Sequence, residues 1–363
     1  MIFCIDCFKD PELRASIENI GHKGNCPICR KQDVWIYDSD TDMVVSNVEE
    51  LLDSILKIYQ PESKLPISYP ENEKMNLEDR LLKDWDIFSG SSLEVKELVK
   101  RIVEESLDLD ASLVSERVGI PELFDEAYLN DKSIIGKYNW DVFRNYLRNV
   151  NRFHYKYINL EILENILRET ETIIPAGRKL YRARVSNKEG TKGFARKDMG
   201  APPNESAKPG RANSKGQSCL YLSSNKNTTV KEIRAHAFDY VTIATFKTKE
   251  ELRVLDLSSI THTSPFYSGA NKVEYLINEQ HLRNIENDMA KPMSSTDSDL
   301  DYLTTQFISD FAKYLGYDGV KYYSTFDKDS YNLALFDVNA CICVYNRNYL
   351  IGDLDYKMTL AKR

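Results

Sequence analysis

Three short pieces of this 363-residue chain place reactive side chains close together: Gly210-Arg211-Ala212-Asn213, Leu220-Tyr221-Leu222 and Val230-Lys231-Glu232. A fourth piece, Asp318-Gly319-Val320-Lys321-Tyr322-Tyr323-Ser324, follows far downstream. An arginine, a glutamate and a serine set on strand ends suit a site that grips a dinucleotide pyrophosphate and stabilises a positively charged sugar. A planar guanidinium fork matches phosphate oxygens, and a carboxylate contributes most where positive charge develops in the transition state.

A second set of reactive residues lies at the N-terminus. Cys4-x2-Cys7 and Cys26-x2-Cys29 are separated by eighteen residues. Each pair forms a knuckle that brings two thiolates to one ion, and two knuckles complete a tetrahedral site, so structural zinc held by Cys4, Cys7, Cys26 and Cys29 is expected. Four cysteines fill the shell and leave no open position for water, so His22 is not needed as a ligand and catalysis there is not expected. Such an ion folds a segment too small for its own core. Cys219, Cys341 and Cys343 sit in apolar, strand-like runs and read as small buried hydrophobes.

Three kinds of segment must position these residues. Over 1–40, Asp10-Pro11-Glu12 predicts the start of a short helix, Gly21 and Gly24 turn the chain back, and Asp33–Tyr37 reads as a strand. Over 41–173 the pattern is helical: Ser46-Asn47-Val48-Glu49 is a capping box, and apolar stripes recur at Val95, Leu98, Val99, Ile102 and Val103, at Trp140, Phe143, Leu147 and Val150, and at Leu160, Leu163, Ile166 and Leu167. Pro61, Pro66 and Pro70 mark an irregular stretch between them. An α-helical bundle over roughly 76–172 is expected. From 174 to 363 short β-branched and aromatic runs take over. They comprise strands at 180–185, 219–223, 240–248, 253–257, 319–323, 332–337 and 341–345, helices at 228–238 and before Gly316, a long functional loop at 186–210, and a mobile insertion at 286–300. The fold class expected is α+β, in three consecutive domains.

The net charge of −8 argues against broad nucleic-acid affinity. Residues 178–216 nevertheless hold eleven basic residues against three acidic ones. A local positive field in an acidic protein fits a small polyanion better than a long polymer. No apolar run approaches the roughly 18–20 residues that span a bilayer, and the N-terminus is no signal peptide, so a cytoplasmic protein without membrane contact is expected. No P-loop or dinucleotide-binding glycine fingerprint is present.

Taken in order, the four C-terminal pieces followed by Asn332-Leu333-Ala334-Leu335-Phe336 resemble the RES family, named for Arg, Glu and Ser, over about residues 174–350. Ala212 departs from the aromatic residue usual after the family arginine. The resemblance implies an ADP-ribosyltransferase-like mixed β domain that breaks the nicotinamide–ribose bond of NAD. On that reading Glu232 hydrogen-bonds the ribose hydroxyl as oxocarbenium character grows, and Arg211 grips the pyrophosphate, helped by Arg182 or Arg184 of the first strand. Tyr221 stacks on nicotinamide or holds a ribose edge, and Ser324 orients the nicotinamide ribose or its carboxamide. The catalytic set is then Glu232, Ser324 and Arg211, and the substrate-binding set Arg182, Arg184, Arg211, Tyr221 and Ser324. A toxin or defence enzyme of this kind implies an inhibitory or activating protein partner, and the helical segment offers a surface for homo-oligomers.

Two alternatives stay open at this point. Arg148-Asn149 followed by His154 is similar to the Arg-polar-x4-His signature of HEPN ribonucleases, in which histidine acts as acid or base and arginine stabilises the phosphorane. A non-catalytic, partner-binding protein assembled through the finger and bundle is the other.

Overall fold

The computed structural model describes residues 1–42, 47–154, 156–186, 193–261, 264–266, 271–291 and 298–352. They divide into two compact units, Met1–Lys137 with His262–Gln280, and Tyr138–Thr261 with His281–Arg363.

In the first unit β1 (Ile2–Cys4), β2 (Lys23–Gly24) and β3 (Val34–Asp38) form a small antiparallel sheet in the order β1-β3-β2. Between the first two strands runs α1 (Pro11–Ile20), which starts where predicted: the Asp10 carboxylate accepts from the Glu12 and Leu13 amides at 2.9 and 3.0 Å. It stops at Gly21, whose φ of 86° ends the helix in the left-handed conformation that glycine adopts without strain. Then follow α2 (Ser39–Asp42), α3 (Val48–Leu56), β4 (Gln60–Pro61), α4 (Leu77–Asp84), α5 (Ser92–Glu105), β5 (Val118–Gly119) and α6 (Glu126–Lys132). Ser46, the first residue of the expected capping box, lies outside the described residues.

One core serves this whole unit. Phe3, Phe8, Leu13 and Ile17 around the cysteines pack into the same cluster as Leu52 of α3, Leu81 of α4 and the stripe Val95, Leu98, Val99, Ile102 and Val103 of α5. Each such side chain, fully buried, contributes about 1.5–3 kcal/mol. The cysteine segment therefore borrows its hydrophobic support from helices that the sequence reading assigned to the next domain. Phe266, Val273 and Ile277, more than a hundred residues downstream, join the same core.

The second unit contains α7 (Trp140–Asn149), α8 (Leu160–Glu169), β6 (Glu171–Ile174), β7 (Lys179–Ser186), β8 (Leu220–Ser223), α9 (Lys226–Glu232), β9 (Tyr240–Thr248) and β10 (Leu252–Asp256). The chain continues through α10 (Lys272–Ala290), whose residues from His281 belong to this unit, then α11 (Leu303–Tyr314), β11 (Gly319–Ser324), β12 (Asp327–Leu335) and β13 (Cys341–Leu350). The helical stretch expected as one bundle is thus divided, α4 to α6 in one unit and α7 and α8 in the other.

Eight strands form one mixed sheet in the order β13-β9-β7-β8-β12-β11-β10-β6, antiparallel throughout except for the parallel pair β10–β11. Leu180, Leu220, Leu222, Phe246, Leu333 and Leu335 make its principal core. Gly319 is demanded by close approach: a Cβ there would lie 2.3 Å from the Ala334 carbonyl oxygen of the neighbouring strand.

Several boundaries differ from the sequence reading. The helix expected at 228–238 ends at Glu232, because the chain turns there and Arg234 takes a φ of 52°. Residues 286–290, expected in a mobile insertion, are the last turn of α10, while 292–297 lie outside the described residues. β12 begins at Asp327 rather than 332, so that β11 and β12 are a hairpin. Cys219 and Cys341 are buried as expected, and Cys343 partly so.

Candidate functional site

The four N-terminal cysteines converge. Their sulfurs lie within 4.8 Å of one another, with Sγ–Sγ distances of 3.8 Å for Cys4–Cys7, 3.4 Å for Cys4–Cys29 and 3.6 Å for Cys7–Cys26. A tetrahedron of thiolates about a metal at roughly 2.3 Å has edges of roughly 3.8 Å, whereas a disulfide brings sulfurs to about 2.05 Å. The spacing fits four thiolates around one metal ion and not disulfides. Without a cation, hydrogen bonding to Cys26 followed by burial pushes the Cys4 thiol up to about 12. A dication is what such a group needs in order to ionise. His22 is turned to Asp42 instead, Nε2 to Oδ2 at 3.4 Å.

In the second unit the structure brings Glu232 and Ser324 together across ninety-two residues. α9 starts on Asn225, whose side chain accepts from the Asn227 and Thr228 amides at 2.8 and 3.3 Å. It presents Glu232 as its last residue to the ends of β11 and β12. There Ser324 Oγ and Asn332 Nδ2 both donate to Glu232 Oε1, each at 2.7 Å. The two donors are 3% and 7% exposed, whereas Glu232 itself is open to solvent. Both bonds fall on Oε1, which leaves Oε2 without a hydrogen-bond partner among the described residues. The β11–β12 register shifts between Tyr323 and Ser324 and sets that serine against Asp327.

Arg211 lies in a tight loop closed by the Gly210–Asn213 bridge. The loop is held from two sides. Tyr221 donates its hydroxyl to Asn213 Oδ1 at 2.6 Å and accepts from the Ala212 amide at 2.9 Å. Gln306 of α11 donates to the Gly210 and Asn213 carbonyls at 2.9 and 3.0 Å. A side chain on Gly210 would put its Cβ 2.7 Å from the Tyr221 hydroxyl, so glycine is required for this approach. The Arg211 guanidinium donates to the Met289 carbonyl. Tyr322 is buried, and its hydroxyl pKa is raised by burial, lowered by the charge of Arg211 and raised by that of Glu232.

Arg182 and Arg184 stand on β7 beside this loop. Arg182 donates to the Tyr221 carbonyl at 3.2 Å, and burial, then the neighbouring Arg184, bring its pKa down to about 10. A cleft of about 320 Å³ opens here, lined by Arg182, Ser206, Lys208, Asn213, Cys219 and Tyr221. Arg184 donates to the Gly200 carbonyl at 2.7 Å and lies 5.7 Å over the Phe194 ring. Neither guanidinium has a carboxylate in an ion pair among the described residues; the charge of Asp198 acts on Arg184, and an anionic ligand would supply a counter-charge to the partly buried Arg182. Lys188 and Lys192 of the basic stretch lie outside the described residues.

Tyr221 does something the sequence reading did not assign to it: it holds the loop. Replacing it with phenylalanine removes the partner of the buried Asn213 and of the Ala212 amide. Tyr221→Phe is expected to lower stability by about 1–2 kcal/mol, measured as the shift in thermal denaturation.

Arg148 and His154 are not set on one helix. α7 ends at Asn149, Arg148 pairs with Asp301 at 3.2 Å, and His154 follows in a turn where its amide donates to Asn151 and its carbonyl accepts from Tyr146. Sequence reasoning quotes Asn213 and Asn332 within their motifs without giving either a role, and does not single out Gln306. The one signal was an asparagine opening the otherwise apolar Leu333–Phe336 run.

The second unit thus joins a mixed sheet, an arginine loop, a carboxylate held by a serine and an asparagine, and two neighbouring, partly buried guanidiniums, residue types suited to holding an anion. The family model of the RES domain matches residues 179–357, and this segment of the chain belongs to the RES domain family. Comparison with curated proteins gave no match, and neither did comparison with solved structures. No helix among the described residues is long and apolar enough to cross a membrane.

Proposed function

We propose that the chain is an NAD-consuming effector whose RES domain, with an ADP-ribosyltransferase-like fold, breaks the nicotinamide–ribose bond. The observation that carries this reading is the exposed Glu232, held through one carboxylate oxygen by Ser324 and Asn332 at 2.7 Å each. As nicotinamide departs neutral, the ribose gains positive charge, and an oriented carboxylate that accepts from a ribose hydroxyl stabilises that charge more than it stabilises the ground state. Arg211, with Arg182 and Arg184, supplies the guanidinium groups that a pyrophosphate calls for. Water as acceptor makes the enzyme a glycohydrolase, and a protein nucleophile makes it a transferase.

The four cysteines hold zinc, on the grounds of ligand type, spacing and closure, and the ion stabilises the N-terminal fold. An effector that depletes NAD in its own cytoplasm calls for a restraining or activating protein partner.

The test is to incubate purified protein with NAD and separate nicotinamide and ADP-ribose by chromatography. Nicotinamide release with free ADP-ribose supports a glycohydrolase. Release with ADP-ribose retained on protein supports transfer. No release, together with an unchanged cellular NAD level in growth-arrested cells after induced expression, would overturn the reading.

A further inference from the structure

Among the described residues, the Arg211 side chain is held by one hydrogen bond, to the Met289 carbonyl, and that carbonyl is itself anchored. The Met289 carbonyl that accepts from Arg211 lies in the last turn of α10, where backbone carbonyls have no partner within the helix and the helix end is negative. Met289 itself is fully buried. The residue before it, Asp288, is gripped by three donors from two other helices. Trp140 Nε1 of α7 donates to Oδ2 at 2.9 Å, Arg144 of α7 donates to Oδ1 and Oδ2 at 2.9 and 3.1 Å, and Thr304 of α11 donates to Oδ2 at 3.1 Å. Two further residues along α11, Gln306 holds the backbone of the loop that carries Arg211.

We infer that Asp288 is a positioning residue for Arg211. By tying the end of α10 to α7 and α11, it fixes the Met289 carbonyl, and that carbonyl fixes the guanidinium. A guanidinium has five N–H donors; one is spent on the carbonyl and the remainder are preset for an anion. Pre-orienting a flexible arginine removes part of the entropy that ligand binding would otherwise cost. The helices ahead of the RES segment thereby serve the ligand site through a bidentate, charge-assisted clamp. The functional consequence rests on Arg211 as the pyrophosphate ligand; the positioning itself does not.

The experiment therefore has two readouts. The first is the rate at which phenylglyoxal modifies Arg211, followed by peptide mass spectrometry with the exposed Arg178 as internal reference. The second is steady-state turnover of NAD. In Asp288→Ala, Arg211 is expected to react several-fold faster with Arg178 unchanged. The KM for NAD is expected to rise about tenfold with kcat little altered, and this rise should vanish when Arg211→Ala is already present. Asp288→Asn, which keeps an acceptor oxygen and the side-chain shape, should restore part of both effects. An unchanged Arg211 reaction rate overturns the inference, as does equal acceleration at Arg178. If the parent protein turns over no NAD either purified or in cells, the substrate reading fails, and the Arg211 labelling rate still decides whether Asp288 positions it.

Discussion

Replacing Glu232 with glutamine should lower kcat for NAD cleavage by about 10²–10³-fold while leaving KM within a few-fold. The substitution keeps the volume and one acceptor oxygen, so Ser324 and Asn332, which donate to Oε1 at 2.7 Å, retain their partner. What changes is the other half of the group, Oε2, where an NH2 donor replaces a charged acceptor. A residue acting on the developing oxocarbenium ion loses turnover and not substrate affinity, because the positive charge is absent in the bound substrate. Arg211→Ala should show the opposite split, a raised KM with a smaller loss of kcat, since the pyrophosphate is the same in ground and transition states. Steady-state kinetics on the pair, with nicotinamide release as readout, separates the two. A Glu232→Gln enzyme with unaltered kcat would remove Glu232 from the chemistry.

The second large effect concerns the metal. Purified protein should contain one equivalent of zinc, and Cys7→Ser should remove most of it. Cys7 is 5% exposed and belongs to the core that also contains Leu52, Leu81 and Leu98. Losing the ion should therefore lower the thermal stability of the first unit as a whole, not only of the segment that bears the cysteines. Structural zinc in small fingers supplies about 10–16 kcal/mol of binding free energy at neutral pH, so even a partial loss exceeds the effect of an ordinary core substitution. The sign with pH follows from the same chemistry. Protons compete with the ion for thiolate, so acidification should release zinc and destabilise the unit, and neutralisation with added zinc should restore it. Metal analysis beside calorimetry checks this; protein that purifies without metal and melts identically after Cys7→Ser would refute it.

Sequence spacing was enough to identify the parts whose partners are near in the chain. The two Cys-x2-Cys knuckles, the Asp10 cap and Gly21 stop of α1, and the alternating strands β7 and β9 are each set by residues within one turn or one strand of each other, where local geometry dominates. The ordered pieces around Arg211, Tyr221, Glu232 and Ser324 were likewise legible as a RES-like set, because each occupies a short segment of recognisable composition.

Tertiary structure alone decided who holds whom. The partners of Glu232 are Ser324 and Asn332, ninety-two and one hundred residues away, and a hydrogen bond of that span leaves no periodicity in the chain. The same is true of Met289 against Arg211 and of Asp288 against Trp140 and Arg144. Helix length was also decided by context: the pattern after Thr228 continues past Glu232, but the backbone turns at Arg234 and leaves the carboxylate at a helix end instead of a helix face. The division into units followed burial, not order along the chain, since Phe266, Val273 and Ile277 complete a core built mainly from the first hundred and twenty residues. Apolar side chains carry no address for the core they will join; the chain path brings them there, and only the folded path reveals it.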